Sequence, residues 1–121
     1  MERTRGFTNK LAEMIPTLGK SPERGDDYRH FGGMTGEELA KVLAECPWLA
    51  EQTQNESPTV AEFLEIGRAH PHLTFYGYVI GPRREDERIS VEGFEGEDTP
   101  GICADFDLRP DEMSRTRAWW D

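Results

Sequence analysis

The side chains best suited to chemistry in this chain are two cysteines, three histidines and a run of closely spaced carboxylates. His70 and His72 flank Pro71, and Cys46 or Cys103 could complete a zinc set. The spacing argues against it. Two histidines separated by a single proline are not the C-x-x-C or H-x-x-x-H arrangement that delivers ligands at tetrahedral distance, and neither cysteine has a paired partner nearby. His70 and His72 read instead as the end of a helix, where imidazole meets free carbonyls. A cysteine nucleophile would need an electropositive setting to hold its thiolate. Asp105 and Asp107 beside Cys103 provide the opposite, and Cys46 lies in an apolar-periodic run. Asp105 and Asp107 also suit a carboxylate pair for acid and base work or for a cation, although carboxylates on a strand face are ordinarily just solvated. Gly32-Gly33 follows no strand-to-helix phosphate pattern. No nucleophile, base and orienting group can be assembled, so the reading is of a non-enzyme with no metal and no cofactor.

Charge is the stronger signal. Twenty-four acidic residues oppose fourteen basic ones, of which only Lys10, Lys20 and Lys41 are lysines, for a formal charge of -10 on 121 residues. Such a chain stays soluble and repels polyanions. Between residues 92 and 112 the acids concentrate: Glu92, Glu95, Glu97, Asp98, Asp105, Asp107, Asp111 and Glu112 stand against Arg109 alone. One interpretation is a solvated exterior suited to a high-salt cytoplasm or a GC-rich genome; the other is an acidic surface for a basic partner. No stretch approaches the roughly 20 apolar residues of a membrane-spanning helix, and MERTRGFTNK lacks the apolar centre of a signal peptide, so the expectation is a cytoplasmic protein with no membrane partner. The two cysteines make no disulfide framework and should be reduced and buried.

These residues must be positioned by a modest core, and the length suits one domain, residues 1–121. Phe7, Leu11, Met14, Ile15 and Leu18 recur at helical spacing, with Thr8 or Asn9 to cap and Pro16 to limit the helix. GKSPERGDDYRHFGG, residues 19–33, reads as a flexible loop. Thr35 and Glu38 form a capping box ahead of Leu39, Val42, Leu43 and Cys46, and Pro47 stops that helix. A further helix runs from Pro58 to about Ala69, capped either by Ser57 or by a second box of Thr59 and Glu62. The period then drops to two. Leu73 to Ile80 is a strand apolar on both faces, Arg88 to Phe94 pairs with it as a hairpin, and Ile102, Ala104, Phe106 and Leu108 alternate as a third strand. Asp111 and Glu112 followed by Arg115 and Arg117 match a helix dipole and predict a short C-terminal helix ending at Trp119-Trp120. The predicted fold is α+β: N-terminal helices, a three-stranded antiparallel meander and a short C-terminal helix.

The order of two capped helices, a strand and the charged hairpin GYVIGPRREDERISVEGF resembles winged-helix proteins over roughly residues 35–94. That resemblance implies a DNA-binding transcriptional regulator in which the second helix enters the major groove and the hairpin touches the backbone. It assigns DNA contacts to Arg68, Arg83, Arg84 and Arg88. The stretch RAHPHLTFYGYVIGPRREDERISVEGFEGE is also similar to segments of short acidic uncharacterised proteins of halophilic archaea, which favours the solvated-exterior interpretation and implies no activity.

Two functions follow. The first is a small acidic binding module in which Glu95, Glu97, Asp98, Asp105 and Asp107, with Trp119 and Trp120 as anchors, meet a protein with a basic surface or a second copy of the chain. Its special form is an inhibitor that imitates nucleic acid with spaced carboxylates, as some small viral proteins do. The alternative is the winged-helix regulator, with DNA as partner.

Overall fold

Two capping boxes open the central helices: the first where its sequence predicts it, the second at Thr59, one of the two caps the sequence left open, so that helix starts two residues after Pro58. The structure, a computed structural model, describes residues 6–15, 28–53 and 55–120. In α2 (Gly36–Glu45) the Thr35 hydroxyl accepts the Glu38 N–H at 3.1 Å while the Glu38 carboxylate accepts the Thr35 N–H at 2.9 Å. In α3 (Val60–Ala69) Thr59 and Glu62 repeat the exchange at 3.1 Å each way. Four donors that a helix start leaves without partners are thereby satisfied locally, two per helix. A 3₁₀ turn, Pro47–Glu51, joins the helices and buries Leu49.

Before α2 come α1 (Phe7–Met14) and a strand, β1 (Tyr28–Thr35); after α3 come β2 (Thr74–Ile80), β3 (Arg88–Glu95), α4 (Thr99–Asp105), β4 (Glu112–Met113) and β5 (Arg117–Trp119). The strands form one antiparallel sheet in the order β1-β2-β3-β5-β4. The fold is α+β. Phe75 and Val79 of β2 and Phe94 of β3 are fully buried in a core that includes Leu11 of α1, Leu39 and Val42 of α2, Phe63 and Ile66 of α3, and Ile102 of α4. Because side chains alternate along a strand, Tyr76 and Tyr78 then point to the opposite face. Among the described residues no helix is long and apolar enough to cross a membrane.

Three local readings of the sequence need correction. Residues 28–33, expected within a loop, are the first six of β1, and Tyr28, His30 and Phe31 pair with Ile80, Tyr78 and Gly77 of β2. Residues 19–27 of that stretch, and Leu18 of the first helix, lie outside the described residues. The alternating run Ile102 to Leu108 is no strand. Pro100, in the first turn, starts the helix α4, and Ile102 and Cys103 are buried on it while Phe106 and Leu108 follow in a turn. The C-terminal segment is a hairpin rather than a helix: Ser114 donates its N–H to the Arg117 carbonyl at 2.7 Å, and β5 pairs with β3 through Gly93 and Trp119. The sheet therefore has five strands where three were predicted.

The helix α1 is secured from far along the chain. It has no side-chain cap of its own, with Gly6 in the left-handed region at φ 89°. Instead the carboxylate of Glu87, only 3% exposed, accepts the Gly6 N–H at 2.8 Å, the Thr8 N–H at 3.2 Å and the Thr8 hydroxyl at 2.6 Å. A carboxylate at a helix start also meets the positive end of the helix dipole. Phe7 meets Trp48 edge to face at 4.7 Å, fixing α1 to the turn after α2.

Candidate functional site

The face of the sheet that carries Tyr76 and Tyr78 is aromatic and charged. Tyr28 stacks on Tyr78 with ring centres 5.1 Å apart, and Arg88 lies over the Tyr78 ring at 5.6 Å while donating to its hydroxyl at 3.1 Å. At the other end Arg117 lies 4.4 Å above the Tyr76 ring and 4.8 Å from the Trp119 ring, with Glu95 at 3.7 Å. Contacts of this kind contribute about 0.5–1 kcal/mol each at exposed positions, and an exposed ion pair roughly 0–1 kcal/mol. The Arg117 assembly thus joins three contacts on one guanidinium, one of them to the buried Tyr76 ring.

At this second end lies a groove of about 470 Å³ lined by His30, Phe31, Gly32, Tyr76, Gly77, Glu92, Glu95, Arg117 and Trp119, all of them strand residues. Its shape has a sequence cause. The register slips between Phe31 and Met34 in the β1–β2 pairing and between Tyr76 and Gly77 in the β2–β3 pairing, so two bulges adjoin at its centre. Glycine is required at two of these positions. A Cβ on Gly77 would lie 1.9 Å from the Ser90 carbonyl oxygen, and one on Gly93 would lie 2.0 Å from the Ala118 oxygen and 2.6 Å from the Tyr76 hydroxyl. Over Gly93 the Tyr76 hydroxyl reaches across β3 and donates to the Ala118 carbonyl at 3.1 Å.

The electrostatics follow from burial and from these contacts. Burial pushes the Tyr76 phenol up, partly offset by Arg117, and burial likewise raises Tyr28, with Glu92 adding to it. The hydrogen bond to Tyr76 holds the Arg117 guanidinium above its usual range. Tyr76, Tyr28 and Arg117 thus stay protonated at neutral pH, which leaves the groove with carboxylates, one guanidinium and aromatic faces. Both cysteines are free and buried, and burial is the main cause raising each thiol. Among the described residues no group of three or more His, Cys, Asp and Glu side chains is placed to hold a metal ion.

No protein-family model, curated protein or solved structure matches this chain. The placement of each expected residue is accordingly the main guide to what the surface does. Glu95 and Trp119 share the groove with Arg117. Glu97 and Asp98 are exposed in the turn that follows β3, Asp98 in the left-handed region at φ 62°, and the Glu97 carbonyl accepts from His72 at 3.1 Å. Asp105 ends α4 and Asp107 stands just beyond it, both exposed. Trp120 points the other way. It is 2% exposed and packs edge to face on Phe63 at 5.6 Å, so it belongs to the core.

The arginines of the winged-helix reading fall in two places. Arg68 is exposed in the last turn of α3, whose other outward residues include Glu62 and Glu65. Arg83, Arg84 and Arg88 belong to the β2–β3 hairpin, where the Asp86 carboxylate takes Arg84 through two contacts at 3.1 and 3.2 Å and meets Arg88 at 3.5 Å. Sequence reasoning missed Tyr76, His30 and Arg117 as site residues. The signal available for Tyr76 was the second apolar face of β2, which had nothing obvious to cover it.

Proposed function

We propose that this chain is a small acidic, non-enzymatic binding module that docks a protein with a basic surface on the open face of its sheet. The observation that carries the reading is the groove at Tyr76 and Trp119, where aromatic faces and the carboxylates Glu92 and Glu95 lie together on rigid strands. Aromatic anchors beside charged groups are the usual centre of a protein interface. Glu97, Asp98, Asp105 and Asp107 extend the negative field beyond the groove and would speed encounter with a cationic partner. Duplex binding through Arg68, Arg83, Arg84 and Arg88 is the weaker reading, because Asp86 offsets Arg84 and Arg88 and α3 presents two glutamates with its one arginine.

The test is affinity capture with the full chain and with Trp119→Ala and Glu92→Gln/Glu95→Gln variants across a salt series. The expected result is a protein retained by the wild type, released as salt rises and lost with either variant. Retention unchanged by both variants, or no protein retained at low salt, would refute the assignment. Binding of duplex DNA at low salt that disappears when Arg83, Arg84 and Arg88 are replaced would favour the regulator instead.

A further inference from the structure

Among the described residues one buried side-chain nitrogen or oxygen has no hydrogen-bond partner, the Nε of Arg29. Buried polar groups nearly always find a partner, so this orphan calls for an explanation. Arg29 stands on β1 opposite Val79, and Phe31 follows it on the same, core-facing side. Its neighbours on the sheet are therefore apolar, and β1 itself contains no carboxylate. The sheet order leaves β1 at an edge, where the described residues pair it with β2 alone.

The two edges of the sheet differ. β4, at the far side, is two residues long and includes Glu112, whereas β1 runs for eight. A long edge strand turns N–H and C=O groups outward, and an extended chain can pair with them. Bulges close an edge against such pairing, and in β1 the slip between Phe31 and Met34 does so for the later half. Ahead of the slip, Tyr28, Arg29, His30 and Phe31 keep regular register with β2, so their outer side presents a regular ladder too. The orphaned guanidinium falls within that stretch.

We propose that the edge of β1 at Tyr28–Phe31 accepts an extended segment of a protein partner as an added strand, and that a carboxylate of this segment, set across from Arg29, supplies the acceptor its guanidinium lacks. Backbone pairing gives the affinity and the carboxylate the selectivity. Side chains directly across an antiparallel pair stand about 4.5–5.5 Å apart at Cβ, near enough for the guanidinium to turn and offer Nε and one Nη together. The charge of -10 on the chain opposes an acidic segment at long range, but at physiological ionic strength such fields are screened over about 8 Å, so the contact at Arg29 decides. The site uses the edge of β1 rather than the open face and stands independently of the docking reading above.

The experiment is an amide NMR titration of the isotope-labelled full chain with the blocked peptide Thr-Val-Glu-Val-Thr, at physiological ionic strength. Its glutamine counterpart and a backbone N-methylated version are the controls. The expected result is a shift of the amides of residues 28–31 and slower exchange of those that point outward, saturating on the order of millimolar. The glutamate peptide should bind about fivefold more tightly than the glutamine peptide, the upper range for a partly exposed ion pair, and Arg29→Gln should bind the two equally. No shift at 28–31, equal affinity of the wild type for the two peptides, a preference that survives in Arg29→Gln, or undiminished binding of the N-methylated peptide would overturn the proposal. Protection of 28–31 that grows with protein concentration in the absence of peptide would place a second copy of the chain on this edge and overturn the acidic-segment assignment. Should Arg29→Gln fail to fold, the glutamate-against-glutamine comparison in the wild type decides alone.

Discussion

Replacing Glu87 should loosen the N-terminal helix far more than any surface acid would. Glu87 is 3% exposed, and its carboxylate accepts hydrogen bonds from the Gly6 and Thr8 amides and the Thr8 hydroxyl. Hydrogen bonds to a charged group contribute about 1.5–3 kcal/mol each, but they share one acceptor and the half-buried Gly6 end can recover water, so the sum is not additive. Glu87→Ala is expected to cost about 3 kcal/mol, with two donors at Thr8 left buried and unpaired. For a chain of this size that is a fall of about 10 °C in Tm. Glu87→Gln keeps one acceptor and turns its amide donors toward N–H groups, for an intermediate loss of about 1.5–2 kcal/mol. Thr8→Val removes the hydroxyl alone. A double-mutant cycle between Thr8→Val and Glu87→Ala should return a coupling of about 1 kcal/mol or more. Urea denaturation supplies these values, and amide exchange of Leu11 locates the loss in α1. A cost for Glu87→Ala below about 0.5 kcal/mol, the range of ordinary surface changes, or undiminished protection at Leu11, would refute the reasoning.

Other perturbations should act elsewhere. Gly77→Ala places a Cβ 1.9 Å from a strand carbonyl, so the β2–β3 ladder must shift; a loss of about 3 kcal/mol or more in urea melts is expected, and near-neutrality would contradict the bulge described here. The adjacent tryptophans should separate sharply: Trp120→Ala costs about 3–5 kcal/mol by opening the Phe63 cluster, and Trp119→Ala stays within about 1 kcal/mol because its ring lies on the open face. The buried thiols set a high-pH limit. Cys46 and Cys103 titrate above their ordinary 9.0 in the folded chain, so the unfolded chain loses those protons first. Their contribution is whole below pH 9.0 and is lost as pH rises from there through the raised folded values. Denaturation midpoints at pH 7 and 10 check the sign, and replacing both cysteines with alanine should reduce the drop.

What could be read from the chain depended on how local its determinants are. The boxes Thr35–Glu38 and Thr59–Glu62 each close within four residues, and both helices start where those residues place them. The β2–β3 hairpin was legible from aromatic and β-branched alternation. Strand β1 was not, because Arg29, His30, Gly32 and Gly33 carry little intrinsic strand preference; Arg29 and His30 pair only because β2 offers them an edge, and Gly32 and Gly33 fall where the register shifts. The run from Ile102 to Leu108 satisfied period two while Ile102 and Phe106 also met at helical spacing, and the proline in the first turn of α4 was the better guide. The charge order that suggested a C-terminal helix was overridden by pairing with β3. As for the site, Trp119 and Glu95 were named from sequence, but their meeting with Tyr76 and Arg117 depends on a register that only the assembled sheet sets.

The Glu87 clasp has a consequence for how the molecule is made. During synthesis the first helix leaves the ribosome long before the carboxylate that caps it, some eighty residues later, and a helix of eight residues is too short to persist alone. Residues 7–14 gain this clasp only once the β2–β3 turn has emerged, and contacts between such distant parts of a chain form slowly. Nascent chains released before residue 87 would carry Leu11 and Ile15 uncovered, a natural mark for chaperones to hold.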